Sequence, residues 1–108
     1  MSAYEEKVRQ AILIILGTGR GERVMRPEFG CGIHDFVFES MNSSTIARME
    51  ASIREGLARW EPRIQVTSVN IRTEELDGGK IFIEINYMVR ATNNQFNIVY
   101  PFYLKEGG

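Results

Sequence analysis

The stretch Trp60-Glu61-Pro62-Arg63-Ile64 decides the fold, because a helical pattern of apolar residues ends there and a strand pattern begins. Proline has a fixed φ and no N–H, and it disfavours helical geometry in the residue before it. We therefore expect a helix that ends at about Glu61. Glu61 and Arg63 then lie on a rigid corner, which suits polar recognition of either the chain's own backbone or another protein.

A helix from about Thr45 to Trp60 is predicted before the corner. Asn42-Ser43-Ser44 supplies side chains that cap helix N-termini. The apolar positions that follow are spaced by three, four, four and three residues, as one face of a helix requires: Ile46, Met49, Ile53, Leu57 and Trp60.

An earlier helix, Ala3 to Leu16, is predicted from a second apolar stripe. Leu13 and Ile14 widen this stripe, so we expect the helix to be buried on more than one side. The stripe itself consists of Val8, Ala11, Ile12, Ile15 and Leu16. The short segment from Ile33 to Phe38 favours a turn of helix over a strand.

After the corner the apolar residues recur at every second position, which predicts strands. Two alternating pairs are out of phase with each other and indicate a β-bulge near Thr67-Ser68: Ile64 with Val66, and Val69 with Ile71. Asp77-Gly78-Gly79 predicts a hairpin turn. The next strand places one set of apolar side chains on one face: Ile81, Ile83, Ile85, Tyr87, Val89 and Ala91.

A last strand is predicted after a turn at Asn93-Asn94. Its inward face holds Phe96, Ile98, Tyr100, Phe102 and Leu104. Pro101 cannot donate to a ladder, so this strand is expected at a sheet edge. The sequence therefore predicts an α+β fold, with two main helices packed on a three- to four-stranded, mainly antiparallel sheet, in a single domain of residues 1–108.

Composition excludes several classes of function. The 108 residues carry a net charge of −1, which lacks the electrostatic footprint of a nucleic-acid or acidic-membrane binder. The longest apolar run, Ala11 to Leu16, is too short to span a bilayer, and the acidic start does not resemble a signal peptide. A single cysteine, Cys31, excludes an internal disulfide and favours a cytosolic origin.

Residues that could perform chemistry are few, and we predict no catalytic, metal or cofactor site. His34 is the only histidine and has no ligand-spaced cluster around it. Cys31 lies between two glycines, where a small buried thiol is the default interpretation, and Gly17-x-Gly19-x-Gly21 follows a helix instead of a strand. Five carboxylates could in principle supply a glycosidase pair, but each lies near an arginine or a turn, where salt bridges and caps are commoner: Glu22, Glu28, Asp35, Glu39 and Glu61.

The sequence resembles the phage W/25-type baseplate wedge family over nearly its whole length. The Gly-Glu-Arg and Glu-Pro-Arg elements in this order are more specific than either alone. Four ordered segments carry the resemblance: Ile12-Leu13-Ile14-Ile15-Leu16-Gly17-Thr18, Gly21-Glu22-Arg23-Val24-Met25-Arg26-Pro27-Glu28-Phe29-Gly30, Phe36-Val37-Phe38-Glu39 and Trp60-Glu61-Pro62-Arg63-Ile64. Members occur in contractile phage tails, R-type bacteriocins, contractile injection systems and type VI secretion baseplates. Some carry a tail-lysozyme label, which these residues do not support.

The resemblance implies a non-enzymatic structural subunit that binds neighbouring wedge proteins and helps to start sheath assembly. Its location would be the bacterial cytoplasm during assembly, or the baseplate of a phage or tail-like particle. It would bind no nucleic acid, membrane or small-molecule substrate. Glu61, Pro62 and Arg63 would meet the wedge core together with Glu22 and Arg23. The sheath protein would add a strand to the last strand of the sheet, at Phe96, Ile98, Tyr100 and Phe102.

Alternatives remain open at this point. Arg63 and Arg23 can instead hold the domain's own loops together through Glu61 or Glu22. A branch resembling stress-response anti-adaptor proteins shares the fold and binds a regulator, and a peptidoglycan-cleaving enzyme is the third hypothesis. Members usually carry a leader before the first helix, and contacts made through it cannot be assigned to this sequence.

Overall fold

A computed structural model describes residues 1–17 and 30–105 of the chain. In these residues two helices cover one face of a three-stranded antiparallel sheet, which confirms the predicted α+β fold. The elements are α1 (Ala3–Gly17), a 3₁₀ turn (Ile33–Phe36), α2 (Ser43–Trp60), β1 (Ile64–Arg72), a second 3₁₀ turn (Leu76–Gly78), β2 (Lys80–Val89) and β3 (Gln95–Tyr103). The first 3₁₀ turn confirms the predicted turn of helix.

Helix α2 begins and ends for the reasons that its sequence indicates. The Asn42 side chain accepts a hydrogen bond from the Thr45 N–H at 2.9 Å, so the predicted cap is present and the helix begins at Ser43, two residues earlier than expected. The last helical turn closes with the Glu61 N–H donating to the Leu57 carbonyl at 2.8 Å. Pro62 follows directly and cannot continue this pattern.

The sheet has the strand order β1-β2-β3. The register of β1 against β2 shifts between Val66 and Ser68, which confirms the predicted bulge. Side chains of β2 alternate between buried and half-buried along its whole length. The strand ends at Val89, so the prediction that Ala91 continues the apolar face of this strand is wrong. The Val89 N–H donates to the Asn94 carbonyl at 2.9 Å and closes a turn that leaves Ala91 exposed.

The core lies between the helices and the inner face of the sheet. Val8, Ile12, Ile15 and Leu16 of α1 are buried, but Leu13 is half-buried and Ile14 is 55% exposed. The expectation that α1 is buried on more than one side is therefore wrong for Ile14. Gly56 permits a close approach of α2 to the segment before the first 3₁₀ turn, since a Cβ added there would lie 2.6 Å from the Cβ of Cys31.

Strand β3 lies at the edge of the described sheet, as Pro101 predicted. In an antiparallel pair, alternate residues direct both backbone polar groups towards the partner strand. The Leu104 N–H donates to the Gly79 carbonyl at 2.8 Å, which places Leu104 among the residues whose polar groups face β2. The alternate residues, whose polar groups face the free edge, are Gln95, Asn97, Val99, Pro101 and Tyr103. Pro101 therefore removes a donor from the free edge and none from the β2 ladder.

Candidate functional site

The proline corner is held by an ion pair between residues on either side of Pro62. Oε1 of Glu61 accepts hydrogen bonds from Nε of Arg63 at 2.7 Å and from its backbone N–H at 3.2 Å. Oε2 accepts from Nη2 of Arg63 at 2.7 Å. This is the bidentate geometry in which a guanidinium matches a carboxylate. The sequence left open whether Arg63 binds within the chain or to a partner, and the internal pair is present.

Burial differs between the two members of this pair. The Glu61 side chain is 2% exposed, whereas that of Arg63 is 40% exposed. The hydrogen bond to Glu61 raises the pKa of the Arg63 guanidinium, so it stays charged. The surface of the corner is therefore cationic, and its anionic member lies beneath.

Two other elements reach the corner. The Arg90 N–H donates to the Arg63 carbonyl at 2.9 Å, and Nε of Arg90 donates to the carbonyls of Pro62 at 3.2 Å and Ile64 at 3.1 Å. The Arg63 guanidinium also lies 5.9 Å from the ring centre of Tyr4, at the start of α1. The corner thus joins α2 to β1 and is braced by the end of β2 and by α1.

The other predicted partner-binding residues do not gather at this corner. Glu22 and Arg23 lie outside the described residues. Strand β3 is at the opposite edge of the sheet from β1, so the corner and the β3 edge are two separate surfaces. The β3 residues that the sequence nominated all turn their side chains inward, with Ile98 and Phe102 buried and Phe96 and Tyr100 half-buried. Their backbone polar groups face β2, and the residues between them face the free edge.

The carboxylates considered for glycoside hydrolysis are dispersed. Glu61 is paired with Arg63, and Glu39 forms an ion pair with Arg48. Asp35 is exposed in the first 3₁₀ turn. Glu22 and Glu28 lie outside the described residues. The two described glutamates are therefore held in the ion pairs that the sequence analysis expected.

Glu5 is a buried carboxylate that the sequence analysis did not single out. Its Oε1 accepts from the Ser2 N–H at 3.0 Å, while the Glu5 N–H donates to Oγ of Ser2 at 3.1 Å. Its Oε2 accepts from Oγ1 of Thr92 at 2.7 Å and from Nδ2 of Asn94 at 2.8 Å. These hydrogen bonds, that of the Ser2 backbone first, lower the pKa of Glu5 to about 2. The Ser-x-x-Glu spacing is the signal of a capping box, and it could have located the first half of this cluster.

The described residues contain neither a metal-ligand cluster nor a membrane-spanning helix. Residues 1–17 and 30–105 contain no group of three or more His, Cys, Asp or Glu side chains that could hold a metal ion. Neither α1 nor α2 is both long and apolar enough to cross a bilayer. Nε2 of His34 lies 3.3 Å from the Gly17 carbonyl, and its ring packs 5.8 Å from that of Phe102. This histidine therefore has a structural environment between α1 and β3.

These features define a small α+β protein built around a helix-to-strand proline corner. The chain belongs to the family described as baseplate wedge protein gp25, whose model matches residues 2–94. This confirms the family that the sequence resembles. The baseplate wedge protein gp25 of Enterobacteria phage T4 is 33% identical over 82 residues, which are 76% of this chain. The aligned region spans 61% of the length of that relative.

Two solved structures are similar to the whole chain or to much of it. A candidate tail lysozyme from Geobacter sulfurreducens is 53% identical, with a TM-score of 0.91, and the match covers 100% of this chain and 97% of that one. A chain of the cryo-EM structure of the anti-feeding prophage baseplate is 30% identical, with a TM-score of 0.73. That match covers 79% of this chain and 68% of the prophage chain.

Proposed function

We propose that this protein is a non-enzymatic structural subunit of a contractile-tail baseplate, where it binds neighbouring wedge proteins and helps to start sheath assembly. The observation that carries the proposal is the likeness to a chain of an assembled baseplate, that of the anti-feeding prophage, at 30% identity and a TM-score of 0.73. The protein would be made in the bacterial cytoplasm and would end in the baseplate of a phage or tail-like particle.

The first proposed contact is the proline corner, which would meet the wedge core. A rigid corner suits this role because little conformational entropy is lost when it binds. Glu61 fixes the Arg63 guanidinium through two hydrogen bonds, and Pro62 restricts the backbone between them. The exposed part of Arg63 is then available to a partner's carboxylate or carbonyl groups. Glu22 and Arg23 belong to the same proposed contact by resemblance to the family.

The second proposed contact is the free edge of β3, where a strand of the sheath protein would add to the sheet. An incoming strand binds an edge through its unpaired N–H and C=O groups. On β3 these groups belong to Gln95, Asn97, Val99 and Tyr103, with Pro101 contributing a carbonyl only. The nominated residues Phe96, Ile98, Tyr100 and Phe102 would support this edge from within the core.

Co-purification with the neighbouring wedge and sheath proteins tests the proposal as a whole. We expect the wild-type chain to form a stable complex with at least one wedge protein. No complex with any baseplate or sheath protein of the same system, at concentrations where the chain is folded, would overturn the proposal.

A matched pair of variants tests the strand-addition contact. Val99→Pro removes an outward N–H without removing a hydrogen bond to β2, whereas Val99→Thr keeps that N–H and a β-branched side chain. We expect Val99→Pro to lose sheath-protein binding and Val99→Thr to retain it. Equal binding by two folded variants would contradict strand addition at this edge.

Cleavage of peptidoglycan is the second candidate function, because the similar Geobacter sulfurreducens protein is described as a candidate tail lysozyme. Glycoside hydrolysis needs a protonated carboxyl as well as a second carboxylate. Glu61 is held as the acceptor of two guanidinium hydrogen bonds, which does not suit a proton donor. Purified protein that clears a peptidoglycan suspension, with the activity lost in Glu22→Gln, Glu28→Gln or Glu61→Gln, would establish the enzyme. Activity that persists in all three variants would indicate a contaminant.

A further inference from the structure

A groove of about 300 Å³ runs between α2 and the start of β1, beside the proline corner. Its lining includes apolar side chains from both elements and from the corner itself: Leu57, Ala58, Pro62, Ile64 and Val66. Leu57 and Ile64 are buried, whereas Ala58 and Pro62 are exposed and Val66 is half-buried. Gln65 and two arginines, Arg54 and Arg90, complete the lining.

Both arginines are exposed and lack a carboxylate partner within the described part of the chain. Arg54 lies on α2 and Arg90 just beyond the end of β2, so the fold brings them together from different elements. Nε of Arg90 is anchored on the carbonyls of Pro62 and Ile64. This anchoring uses one of its five N–H groups and leaves the terminal nitrogens for an external acceptor.

We infer that this groove binds a segment of a neighbouring baseplate protein in which an Asp or Glu side chain stands beside an apolar side chain. The inference rests on the proposed function for the identity of the partner as a baseplate protein. The carboxylate would bind between Arg54 and Arg90, and the apolar side chain would cover Pro62 and Val66. Guanidinium groups favour carboxylates because their paired donors match the two oxygens.

A nucleic acid fits this surface less well than an acidic protein segment. A phosphate backbone is bound by a row of cationic side chains, whereas α2 carries Glu50 and Glu55 among its arginines. The apolar lining also has no counterpart in a phosphate backbone. An acidic segment with an apolar neighbour is complementary to both components of the groove.

Charge reversal at Arg54 tests the inference without disturbing the corner. Arg54 is exposed and makes no hydrogen bond or ion pair within the described residues, so Arg54→Glu is expected to keep the melting temperature of the wild type. Lys7→Glu is the control, because it makes the same charge change at an exposed position of α1. Arg54→Gln serves as the second variant if Arg54→Glu is unstable.

The measurement is the dissociation constant for the wedge protein that co-purifies with the wild-type chain. We expect Arg54→Glu to weaken binding by about tenfold or more, and Lys7→Glu to change it by less than about threefold. Raising the NaCl concentration from about 0.1 M to about 1 M shortens the screening length from about 10 Å to about 3 Å. Wild-type binding should weaken over this range more steeply than binding by Arg54→Glu.

Three outcomes would overturn this inference. The first is equal affinity of Arg54→Glu and Lys7→Glu for the wedge protein. The second is a salt dependence of wedge binding that is the same in Arg54→Glu as in the wild type. The third is binding of duplex DNA by the wild-type chain that is lost in Arg54→Glu. If the wild-type chain binds its wedge partner and Arg54→Glu binds equally well, only the groove is refuted. If the wild-type chain binds no baseplate protein, the proposed function itself fails.

Discussion

Glu61 and Arg63 are two residues apart in the chain and are joined by two hydrogen bonds of 2.7 Å between their side chains. Pro62 lies between them and restricts the backbone, so less conformational freedom is lost when the ion pair forms. The carboxylate is 2% exposed and the guanidinium side chain 40% exposed, so a partner can reach Arg63 more readily than Glu61. One arrangement therefore stabilises the corner and directs a cation outward.

Removal of Arg63 tests the internal role of the pair. Arg63→Ala leaves a buried carboxylate without its guanidinium and should lower the free energy of unfolding by about 2 kcal/mol. The double variant Glu61→Gln/Arg63→Ala should lose less than the sum of the two single variants, because they remove the same interaction. Urea denaturation measures all three, and additive losses would contradict the coupling.

The same variant separates folding from binding. If Arg63 contacts the wedge core, Arg63→Ala should weaken wedge binding by more than the loss of folded protein accounts for. Binding measured well below the melting temperature makes this comparison. A loss of binding only in proportion to the loss of stability would make the corner an element of the fold alone.

The Glu5 cluster predicts a pH dependence of stability. The folded-state pKa of Glu5 is lowered from 4.5 to about 2. The contribution of this carboxylate to the stability of the fold is therefore present above pH 4.5 and is lost as the pH falls towards 2. Glu5→Gln should lower the melting temperature at pH 7. It should also make the melting temperature less dependent on pH between about pH 2 and pH 4.5. Thermal denaturation across this range checks the prediction, with Glu6→Gln as the control. An unchanged pH profile in Glu5→Gln would contradict it.

Gly56 and Gly78 form a contrasting pair. A Cβ at Gly56 would lie 2.6 Å from the Cβ and 2.7 Å from the Cα of Cys31, so part of the backbone must move. Gly56→Ala should therefore lower the free energy of unfolding by about 2 kcal/mol. Nothing lies within 4 Å of a Cβ at Gly78, and Gly78→Ala should be neutral or stabilising by up to about 1 kcal/mol. Equal effects in chemical denaturation would contradict the packing at Cys31.

Tyr87 carries a phenolic oxygen that is buried in the core. Within the described residues its buried Oη makes no hydrogen bond, and burial raises the pKa of the phenol. Tyr87→Phe keeps the ring and removes this atom, so it should leave the free energy of unfolding unchanged or raise it by up to about 1 kcal/mol. Tyr103→Phe, at an exposed site, is the control for denaturation measurements. A loss of more than about 1 kcal/mol would show that the Oη of Tyr87 has a partner.

Sequence patterns predicted the features that depend on neighbouring residues. Pro62 ended α2, Asn42 capped it, and the phase change around Thr67 located the bulge in β1. Each signal acts through backbone geometry within a few residues. The end of β2 was predicted less well, because the hydrogen bond from Val89 to Asn94 ends the strand before the apolar pattern does.

Features that depend on distant residues could not be predicted in this way. Glu5 meets Asn94 across 89 positions, and only its contact with Ser2 has a local signal. Arg54 and Arg90 become neighbours at the groove through the packing of α2 on the sheet. The family resemblance led to the two proposed binding surfaces, but the alternation of β3 determines which of its backbone groups face the free edge.

Pro101 has a consequence for the subunit before it is assembled. A sheet edge with every donor in place lets identical copies pair side by side and aggregate as their concentration rises. At Pro101 the backbone nitrogen faces the free edge and carries no hydrogen. Pro101 therefore hinders such pairing along β3 without removing a hydrogen bond to β2. A second copy that pairs along β3 would therefore lack one hydrogen bond at this position, and the strand addition proposed above requires a partner strand that tolerates the same gap.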